Sequence, residues 1–311
     1  MDIVISEFMD EPAVQQLREQ FSVLYDPELV DRPDELQNAL GQSRALIVRN
    51  RTQVDQALLA HAPKLQVVGR LGVGLDNIQL ESCREQHVQV IPATGTNARA
   101  VAEYVLGAAL LLARGVFGSS AAVSQGLWPR TVLSQGREIG GLTLGLIGFG
   151  NIARQVSTLA HHLGLQVCAH DCGLDDQDPA WAQHAVRSLP LDDLLAQADI
   201  VSLHVPLLPG TRNLIDARRL EQMKPDAILI NTARGGIVDE AALAAALRAG
   251  CLGGAALDVF DPEPLPRSDH LHDVPNLILT PHIAGLSRQA NTRVSAFIAD
   301  AVTRQLRSAA L

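Results

Sequence analysis

The chain has 311 residues, enough for about two domains that each bury their own core. Hydrophobic residues make up 47% of it and aromatic residues only 3%, so we expect an aliphatic core. The formal net charge of -9 argues against a nucleic-acid partner, because a surface that binds nucleic acid needs a basic face.

The sequence indicates neither membrane insertion nor secretion. The longest apolar run, Val105 to Ala113, is about half of the roughly 20 residues that a membrane-spanning helix needs. The N-terminal stretch MDIVISEFMDEP is acidic, whereas a signal peptide begins with basic residues. The four cysteines form no CxxC pair and are expected to be reduced thiols. We therefore predict a cytoplasmic protein without a membrane partner.

The first part of the chain alternates strand-like runs with helical patterns. Apolar residues at three- and four-residue spacing predict helices over EPAVQQLREQF and TQVDQALLAHAP. This alternation is typical of an α/β fold with a largely parallel sheet. The runs that predict strands are DIVISEF, SVLYD, RALIVR, LQVVGR and VQVIP.

A long helix and a second α/β series follow. The helix, Asn97 to Gly115, is apolar nearly all round, so we expect it to be buried between domains or against a second subunit. One more helix is predicted over Ser287 to Ser308. Two α/β units suggest a cleft that encloses a ligand. The strand-like runs of the second series lie in GLTLGLIGFG, QVCAHD, DIVSLHV, AILINTA, GGAALDVF and NLILTPH.

The stretch GFGNIA has the pattern of a dinucleotide-binding turn, because it follows a strand and opens a helix. The next strand ends in Asp171, about 20 residues farther on, as this fingerprint requires. An acid there binds ribose hydroxyls and repels a 2′-phosphate, so the predicted cofactor is NAD rather than NADP. The alternative is a glycine-rich turn without a ligand. The predicted contacts of the turn with the cofactor are Gly148, Gly150, Asn151 and Ile152.

Three later residues with reactive side chains, Arg234, Glu263 and His282, each follow a strand-like run. Ligands of α/β folds bind at the carboxyl ends of strands, so these positions suit a substrate site. Taken singly, each has a structural explanation: an arginine that reaches solvent, a glutamate in a surface turn and a packed histidine. Beside a nicotinamide site they form a catalytic set, in which the planar guanidinium matches a carboxylate.

The order and length of seven motifs resemble those of the D-isomer-specific 2-hydroxyacid dehydrogenases, and among them the phosphoglycerate-dehydrogenase-like members. The resemblance spans nearly the whole chain. It departs from the family at Ala153, where a third glycine is usual, and at Asn151, where many relatives carry arginine. The motifs are GRLGVGLDNI (69–78), VAEYVLG (101–107), LGLIGFGNIA (144–153), SLHVPLLPGTRNLI (202–215), MKPDAILINTARGGIVDE (223–240), ALDVFDPEP (256–264) and TPHIAG (280–285).

The resemblance implies a role for each reactive side chain. Arg234 is expected to hold the substrate carboxylate and polarise the C2 carbonyl. His282 is expected to donate a proton to the developing alkoxide during reduction and to take it back during oxidation, which suits an imidazole near neutral pH. Glu263 is expected to accept a hydrogen bond from the imidazole and fix its tautomer.

The resemblance also implies the organisation of the chain and further contacts. Two doubly wound domains, Rossmann-like or flavodoxin-like with parallel sheets, are expected. Residues 98–282 form the NAD-binding domain, and residues 1–97 with 283–311 form the substrate-binding domain, without the regulatory extension of longer relatives. Val73 and Gly74 are expected to bind the substrate carboxylate through their N–H groups. The other expected cofactor contacts are Asn97, Val205, Pro206, Ala233 and Asp258, with His204 either near the adenine or simply packed.

Three arginines, Arg49, Arg51 and Arg70, follow strands of the first domain. In the resembled phosphoglycerate enzymes, the positions that match Arg49 and Arg70 face the distal phosphate. We therefore predict a 2-hydroxy acid with a second anionic group, a phosphate or a sulfonate as in sulfolactate. A hydroxypyruvate or glyoxylate reductase is the alternative, with the arginines in surface ion pairs.

Two further expectations concern partners and metals. Some proteins that resemble this family are NADH-sensing corepressors that bind protein partners, and this class stays open as an alternative to an enzyme. The buried helix after Asn97 predicts a homodimer. The segment SDHLHD, 268–273, has alternating histidines, but it follows the proline-rich DPEPLP and is expected to be a solvated loop rather than a metal site.

Overall fold

A computed structural model describes residues 1–116, 119–268 and 270–308 of the chain. The chain forms two units: Met1–Asn97 with Leu286–Leu311 make up the first, and Ala98–Gly285 make up the second. Each unit has its own parallel sheet, so the predicted fold class of two doubly wound α/β domains is confirmed.

Strands and helices alternate in both units. The described strands are β1 (Ile3–Ile5), β2 (Val23–Tyr25), β3 (Ala45–Val48), β4 (Val67–Arg70), β5 (Gln89–Pro92), β6 (Thr143–Ile147), β7 (Gln166–His170), β8 (Arg187–Ser188), β9 (Ile200–Leu203), β10 (Ile228–Asn231), β11 (Gly254–Leu257) and β12 (Leu277–Leu279). The described α-helices are α1 (Glu11–Arg18), α2 (Pro33–Leu40), α3 (Gln56–Ala60), α4 (Leu80–Glu85), α5 (Ala98–Arg114), α6 (Ser119–Ser124), α7 (Arg130–Leu133), α8 (Asn151–His162), α9 (Pro179–Gln183), α10 (Leu191–Gln197), α11 (Ala217–Gln222), α12 (Glu240–Arg248) and α13 (Arg288–Ser308).

The sheet of the first unit has the strand order β2-β1-β3-β4-β5, and all its pairs are parallel. Every residue of β1 and β3 is buried, as expected for apolar strands of a parallel sheet that is covered on both faces. Helix α13 packs against α1 and β4. The strand order reverses between β1 and β3, which is where sheets of this kind bind ligands.

The sheet of the second unit has the order β12-β11-β10-β9-β6-β7-β8, again with parallel pairs only. Its order reverses between β6 and β9. The core is largely aliphatic, as the composition predicts, with Phe149 stacked on Trp181 at 4.9 Å between ring centroids. Because all strands run in one direction, their carboxyl ends share one edge of the sheet.

Helix α5 is covered on only part of its surface within the described chain. Its inner face is buried within the second unit, where it packs on α8, β10 and β11. Leu110 and Leu111 on another face are 41% and 45% exposed, so the described chain does not bury the helix all round. None of the helices in the described part of the chain has both the length and the apolar composition that a bilayer crossing requires.

Candidate active site

The glycine-rich turn lies between β6 and α8 at the reversal point of the second sheet. Gly148 has a φ of +88°, and a Cβ there would lie 2.6 Å from the His204 carbonyl oxygen, so only glycine fits. Gly150 is the N-cap of α8, and a Cβ on it would meet nothing within 4 Å. The first N–H groups of a helix lack intrahelical partners, so this open face offers donors to an anion.

Ala153, the departure from the third glycine, is fully buried in the core under this turn. A methyl group is therefore accommodated where the pattern asks for a small residue. The turn, the helix N-terminus and the open face at Gly150 together fit a dinucleotide pyrophosphate.

Asp171 follows β7 and faces the turn. One of its carboxylate oxygens accepts a hydrogen bond from the Phe149 N–H at 2.7 Å, and the other accepts from the Gly173 N–H at 2.8 Å. Both oxygens keep a further lone pair for ribose hydroxyls. Asp171 therefore shapes the glycine-rich turn in addition to its predicted contact with the cofactor.

The strand order arranges the predicted cofactor residues along one edge. Asp171 follows β7, Gly148 follows β6, and Val205 and Pro206 follow β9, with a Cβ on Gly148 only 2.9 Å from a Val205 methyl. Ala233 and the reactive residues follow β10, β11 and β12. Residues in this order along one edge fit a dinucleotide that extends from adenosine to nicotinamide.

Two predicted contacts have individual features. His204 is half-buried, and its Nε2 lies 3.0 Å from the Ser202 hydroxyl oxygen. Burial lowers the pKa of His204 to about 4, so its imidazole is neutral near pH 7. Asn97 carries a buried side-chain oxygen without a hydrogen-bond partner in the described structure, as expected of a group that receives a donor from a ligand.

Arg234 lies in a turn that a buried asparagine holds. Asn231 is 1% exposed; its Nδ2 donates to the Arg234 carbonyl at 2.9 Å, and its Oδ1 accepts from the Ala233 N–H at 3.0 Å. The next residue, Gly235, packs on the backbone of Phe260, because a Cβ there would lie 1.9 Å from the Phe260 carbonyl carbon. The turn after β10 is thereby fixed against the loop after β11.

That second loop carries Glu263, which is bonded within its own loop and to the loop after β12. Its Oε1 accepts a hydrogen bond from the Phe260 N–H at 2.9 Å, and its Oε2 lies 2.7 Å from Nδ1 of His282. Partial burial acts to raise the pKa of Glu263, but the hydrogen bonds from His282 and Phe260 and the charges of His282 and Arg234 lower it below its usual value. The carboxylate is therefore ionised at neutral pH.

The Glu263 contact decides which nitrogen of His282 is available for chemistry. A carboxylate is only an acceptor, so Nδ1 carries the hydrogen and Nε2 is left to exchange a proton with a ligand. His282 itself has a φ of +55°, the left-handed region that non-glycine residues seldom adopt.

In the first unit, Arg49 follows β3 and Arg70 ends β4, and these strands are paired. The Arg49 N–H donates to the buried Glu7 carboxylate at 2.8 Å, while its guanidinium donates to Asn291 at 3.1 Å and lies 5.6 Å from the centre of the Phe8 ring. Burial lowers the pKa of Arg49 and Glu7 opposes this effect; the guanidinium stays charged.

The other predicted residues at the carboxyl edge of the first sheet are Arg70 with the turn after it, and Arg51. Arg70 donates to the Leu71 carbonyl at 3.0 Å, and the predicted carboxylate-binding residues Val73 and Gly74 follow in a half-buried turn. Arg51, predicted as a third cation of the edge, instead pairs with Asp31, and both side chains are 56% exposed. For Arg51 the surface ion pair is therefore the correct interpretation.

Comparison with known proteins places this site in a family. Residues 106–284, more than half of the chain, match the family described as D-isomer specific 2-hydroxyacid dehydrogenase, NAD binding domain. The chain belongs to this family. It is an NAD-dependent 2-hydroxyacid dehydrogenase, as predicted.

This 2-hydroxyacid dehydrogenase has similar relatives over its whole length. It is 54% identical over 305 residues to (S)-sulfolactate dehydrogenase of Chromohalobacter salexigens, covering 98% of each chain. It is 38% identical over 303 residues to D-3-phosphoglycerate dehydrogenase of Mycobacterium bovis, covering 96% of this chain and 56% of that one. The solved TT0316 protein from Thermus thermophilus has a TM-score of 0.87 at 34% identity, covering 99% of this chain and 97% of that one.

Sequence reasoning missed the residues that hold the dehydrogenase loops in place. Asn231 fixes the Arg234 turn, and Thr280 and Tyr104 lie behind the His282 turn. The available signal for Asn231 was a polar residue at the end of an otherwise apolar strand. For Tyr104, within an apolar helix, the sequence carried no signal of this kind.

The described residues of the segment 268–273 make contacts with one another and with α12. Ser268 contacts His270, and His270 Nε2 lies 3.5 Å from Glu240, while Asp269 lies outside the described residues. Among the residues that the structure describes, no group of three or more His, Cys, Asp or Glu is arranged to hold a metal ion. Cys83 and Cys168 are buried, Cys172 and Cys251 are exposed, and all are free thiols.

Proposed function

We propose that this dehydrogenase interconverts sulfolactate and sulfopyruvate, with NAD(H) as the hydride carrier. The observation that carries the reaction is the bond between Glu263 and His282 at the sheet edge that also bears the Arg234 turn. The substrate follows from Arg49 and Arg70 at paired strand ends, and it agrees with the 54% identity to a sulfolactate dehydrogenase.

In this proposal NADH supplies the hydride, and the chain binds and protonates the 2-oxo acid. Arg234 grips the carboxylate and polarises the C2 carbonyl, since its planar fork can donate two parallel hydrogen bonds. His282 donates the Nε2 proton to the alkoxide oxygen as it forms. Glu263 holds Nδ1–H and so keeps the proton-transfer nitrogen directed at the ligand. Oxidation runs through the same groups in reverse.

The second unit acts as the NAD-binding domain. Gly148, Gly150, Asn151 and Ile152 receive the pyrophosphate, and Asp171 receives the adenosine ribose. The geometry that supports these roles is the open helix N-terminus and the acid next to it. Val205, Pro206, Ala233, Asp258 and Asn97 complete the cofactor contacts.

The first unit acts as the substrate-binding domain. Val73 and Gly74 present N–H groups to the substrate carboxylate, and Arg49 and Arg70 bind the second anion. With Arg51 paired to Asp31, two arginines serve that anion, and the buried Glu7 carboxylate lies beside one of them. This modest positive charge suits a sulfonate, which carries one negative charge, better than a phosphate, which carries almost two at neutral pH.

The configuration of sulfolactate agrees with a D-specific family. Sulfur outranks oxygen in the naming rules, so the CH₂SO₃⁻ group takes priority over the carboxylate in sulfolactate. The descriptor therefore inverts, and (S)-sulfolactate has the same spatial arrangement as D-lactate. A site built for D-2-hydroxy acids consequently accepts the (S) isomer.

A panel of 2-oxo acids tests the function. NADH oxidation is followed by absorbance with sulfopyruvate, phosphohydroxypyruvate, hydroxypyruvate and glyoxylate. We expect the highest kcat/KM with sulfopyruvate. A preference for hydroxypyruvate or glyoxylate would instead identify a reductase of small 2-oxo acids, and NADH binding without turnover of any of them would favour a corepressor-like binding protein. The cytoplasmic location stays a prediction from the sequence.

We further propose that two copies of the chain associate through the segment after α5. Helices α6 and α7 contain no buried residue, and Leu127, Trp128 and Val132 are 58%, 77% and 74% exposed. Apolar surface of this kind is typical of protein interfaces. Sedimentation should show a dimer for the wild type and a monomer for the double variant Trp128→Ser/Val132→Ser. A monomeric wild type, or a double variant that remains dimeric, contradicts this interface.

A further inference from the structure

The turn that carries His282 is held from behind by one buried carboxylate, that of Asp258. Asp258 is 1% exposed, and its Oδ1 accepts from the Ile283 N–H at 2.8 Å while its Oδ2 accepts from the Ala284 N–H at 2.8 Å. Its backbone carbonyl also accepts from the His282 N–H at 2.8 Å. These bonds hold a left-handed residue in place, a conformation that a non-glycine side chain disfavours.

Two hydroxyl groups extend this arrangement into the core of the second unit. The Thr280 hydroxyl donates to Asp258 Oδ1 at 2.6 Å, and the Tyr104 hydroxyl oxygen lies 2.6 Å from the Thr280 oxygen. Thr280 has a single hydroxyl hydrogen and gives it to the carboxylate, so Tyr104 must be the donor to Thr280. The chain of donors therefore runs from Tyr104 through Thr280 to Asp258 in one direction.

The state of Tyr104 supports this direction. Burial raises the pKa of Tyr104; the Thr280 hydrogen bond acts in the opposite sense, and the charge of Asp258 adds to the increase. The phenol thus keeps its proton at neutral pH and remains a donor. Because α5 is packed into the core, its tyrosine is a fixed end point for the chain.

We propose that Tyr104 and Thr280 are positioning residues for the proton-transfer histidine. They orient the Asp258 carboxylate, and Asp258 in turn sets the backbone of residues 282–284 so that Nδ1 of His282 meets Glu263. Neither residue touches the reacting atoms. This inference rests on the proposed role of His282 in the reaction.

The main test replaces the threonine hydroxyl with a methyl group of similar volume. Thr280→Val should lower kcat by up to about 100-fold, because small displacements of a reacting group have effects of this size. Thr280→Ser should restore most of the activity, since it keeps the hydroxyl. Tyr104→Phe should lower kcat about 2- to 10-fold, as expected for the loss of one neutral hydrogen bond. Because Asp258 is also a proposed cofactor contact, the KM for NADH is measured in all three variants and should change less than kcat.

Two comparisons separate positioning from general stability. Thr303→Val is the matched control, because the buried Thr303 hydroxyl on α13 has no hydrogen-bond partner in the described structure, and this variant should behave as the wild type. The double variant Thr280→Val/Tyr104→Phe should resemble Thr280→Val alone, because the chain of donors is already broken. Fully additive losses would contradict a connected chain.

The pH profile and an NMR signal are two measurements that a general loss of stability, without a shift of His282, would leave unchanged. In Thr280→Val, Glu263 loses the bond that lowers its pKa, so the acid limb of kcat for 2-oxo acid reduction should move to higher pH. The ¹⁵N signal of the His282 imidazole, assigned by its loss in His282→Gln, should move toward that of a histidine without a carboxylate partner. The signal and the acid limb should keep their wild-type positions in Thr303→Val.

The outcomes distinguish this inference from the proposed function. If Thr280→Val and Tyr104→Phe keep the wild-type kcat, acid limb and His282 signal, the positioning role is wrong. If the wild type reduces none of the 2-oxo acids, the proposed function fails, but the NMR signal still shows whether Thr280 sets the position of His282. If Thr280→Val does not fold, Tyr104→Phe carries the test by its kcat, acid limb and His282 signal.

Discussion

The carboxyl edges of the two parallel sheets are both formed by loops that follow parallel strands, but these loops carry different polar side chains. The edge of the second unit brings together a base, its supporting carboxylate and an arginine turn, with Glu263 linking the loops. The edge of the first unit carries Arg49 and Arg70, whose partners include a backbone carbonyl, an asparagine and, for the Arg49 N–H, the Glu7 carboxylate. In the proposed function, the first of these edges transfers the proton and the other binds the second anion of the substrate.

The comparison also shows a shared method of construction. In each unit a buried polar residue behind the edge receives the N–H groups of a functional loop: Glu7 receives those of Arg49, Arg51 and Thr52, and Asp258 receives those of Ile283 and Ala284. Such groups must be fully hydrogen-bonded when buried, so they specify one loop conformation. The same arrangement thus holds the loop of His282 in one unit and the loop of Arg49 in the other.

We call the carboxyl edge of the second sheet the reactive edge, and Arg234→Ala tests it most directly. We expect kcat to fall by about 10²- to 10³-fold, because a donor aimed at a developing oxyanion is lost. NADH should bind as in the wild type, measured by its fluorescence. Arg234→Lys should be intermediate, since it keeps the charge without the fork. Wild-type turnover in Arg234→Ala would remove Arg234 from the mechanism.

We call the carboxyl edge of the first sheet the recognition edge, and Arg70→Ala is the corresponding test for it. We expect the KM for sulfopyruvate to rise about 10- to 100-fold, because charge-assisted hydrogen bonds to the sulfonate are lost. The KM for pyruvate, which lacks the second anion, should stay near its wild-type value. Arg51→Ala is the control, since Arg51 pairs with Asp31 at the surface and should leave both KM values unchanged. An unaltered KM for sulfopyruvate in Arg70→Ala would mean that other residues bind the sulfonate.

The adenosine end of the second edge is tested by Asp171→Asn. Removing this charge relieves the repulsion of a 2′-phosphate, so the KM for NADPH should fall about 5- to 10-fold relative to that for NADH. The asparagine oxygen can still accept one of the two N–H groups that Asp171 now receives. Steady-state kinetics with both cofactors provide the ratio, and an unchanged ratio would show that Asp171 does not select between them.

The smallest expected effect concerns stability. The folded-state pKa of Glu263 is lowered, so its stabilising contribution is present above the unfolded value of about 4.3 and is lost as pH falls through the folded value. Because the pair is partly exposed, we expect less than about 1 kcal/mol. Urea unfolding of wild type and Glu263→Gln should show a difference near pH 5.5 that becomes smaller as the pH is lowered. A difference that widens toward low pH would reverse this assignment.

Much of the reactive edge was predictable because its signals are local in sequence. The strand, tight turn and helix around Gly148 require neighbouring residues only, and the strand ends at Arg234 and His282 follow from short apolar runs. The third cation was not predictable in this way. Arg51 follows a strand as Arg49 does, but its partner Asp31 lies 20 residues away at the end of a short 3₁₀ helix, Leu29–Asp31. No local pattern separates a binding arginine from one that is already paired.

The sequence by itself determined the α/β class, the dinucleotide turn and the types of reactive side chain, because each depends on spacing along the chain. The tertiary structure alone decided that β12 lies beside β11 and β11 beside β10, so that three distant loops share one edge. It also decided that the Tyr104 hydroxyl meets Thr280, 176 residues away, and that Asp258 closes on the His282 turn. These contacts depend on strand order and register, which are set by the packing of the whole sheet and not by neighbouring residues in the sequence.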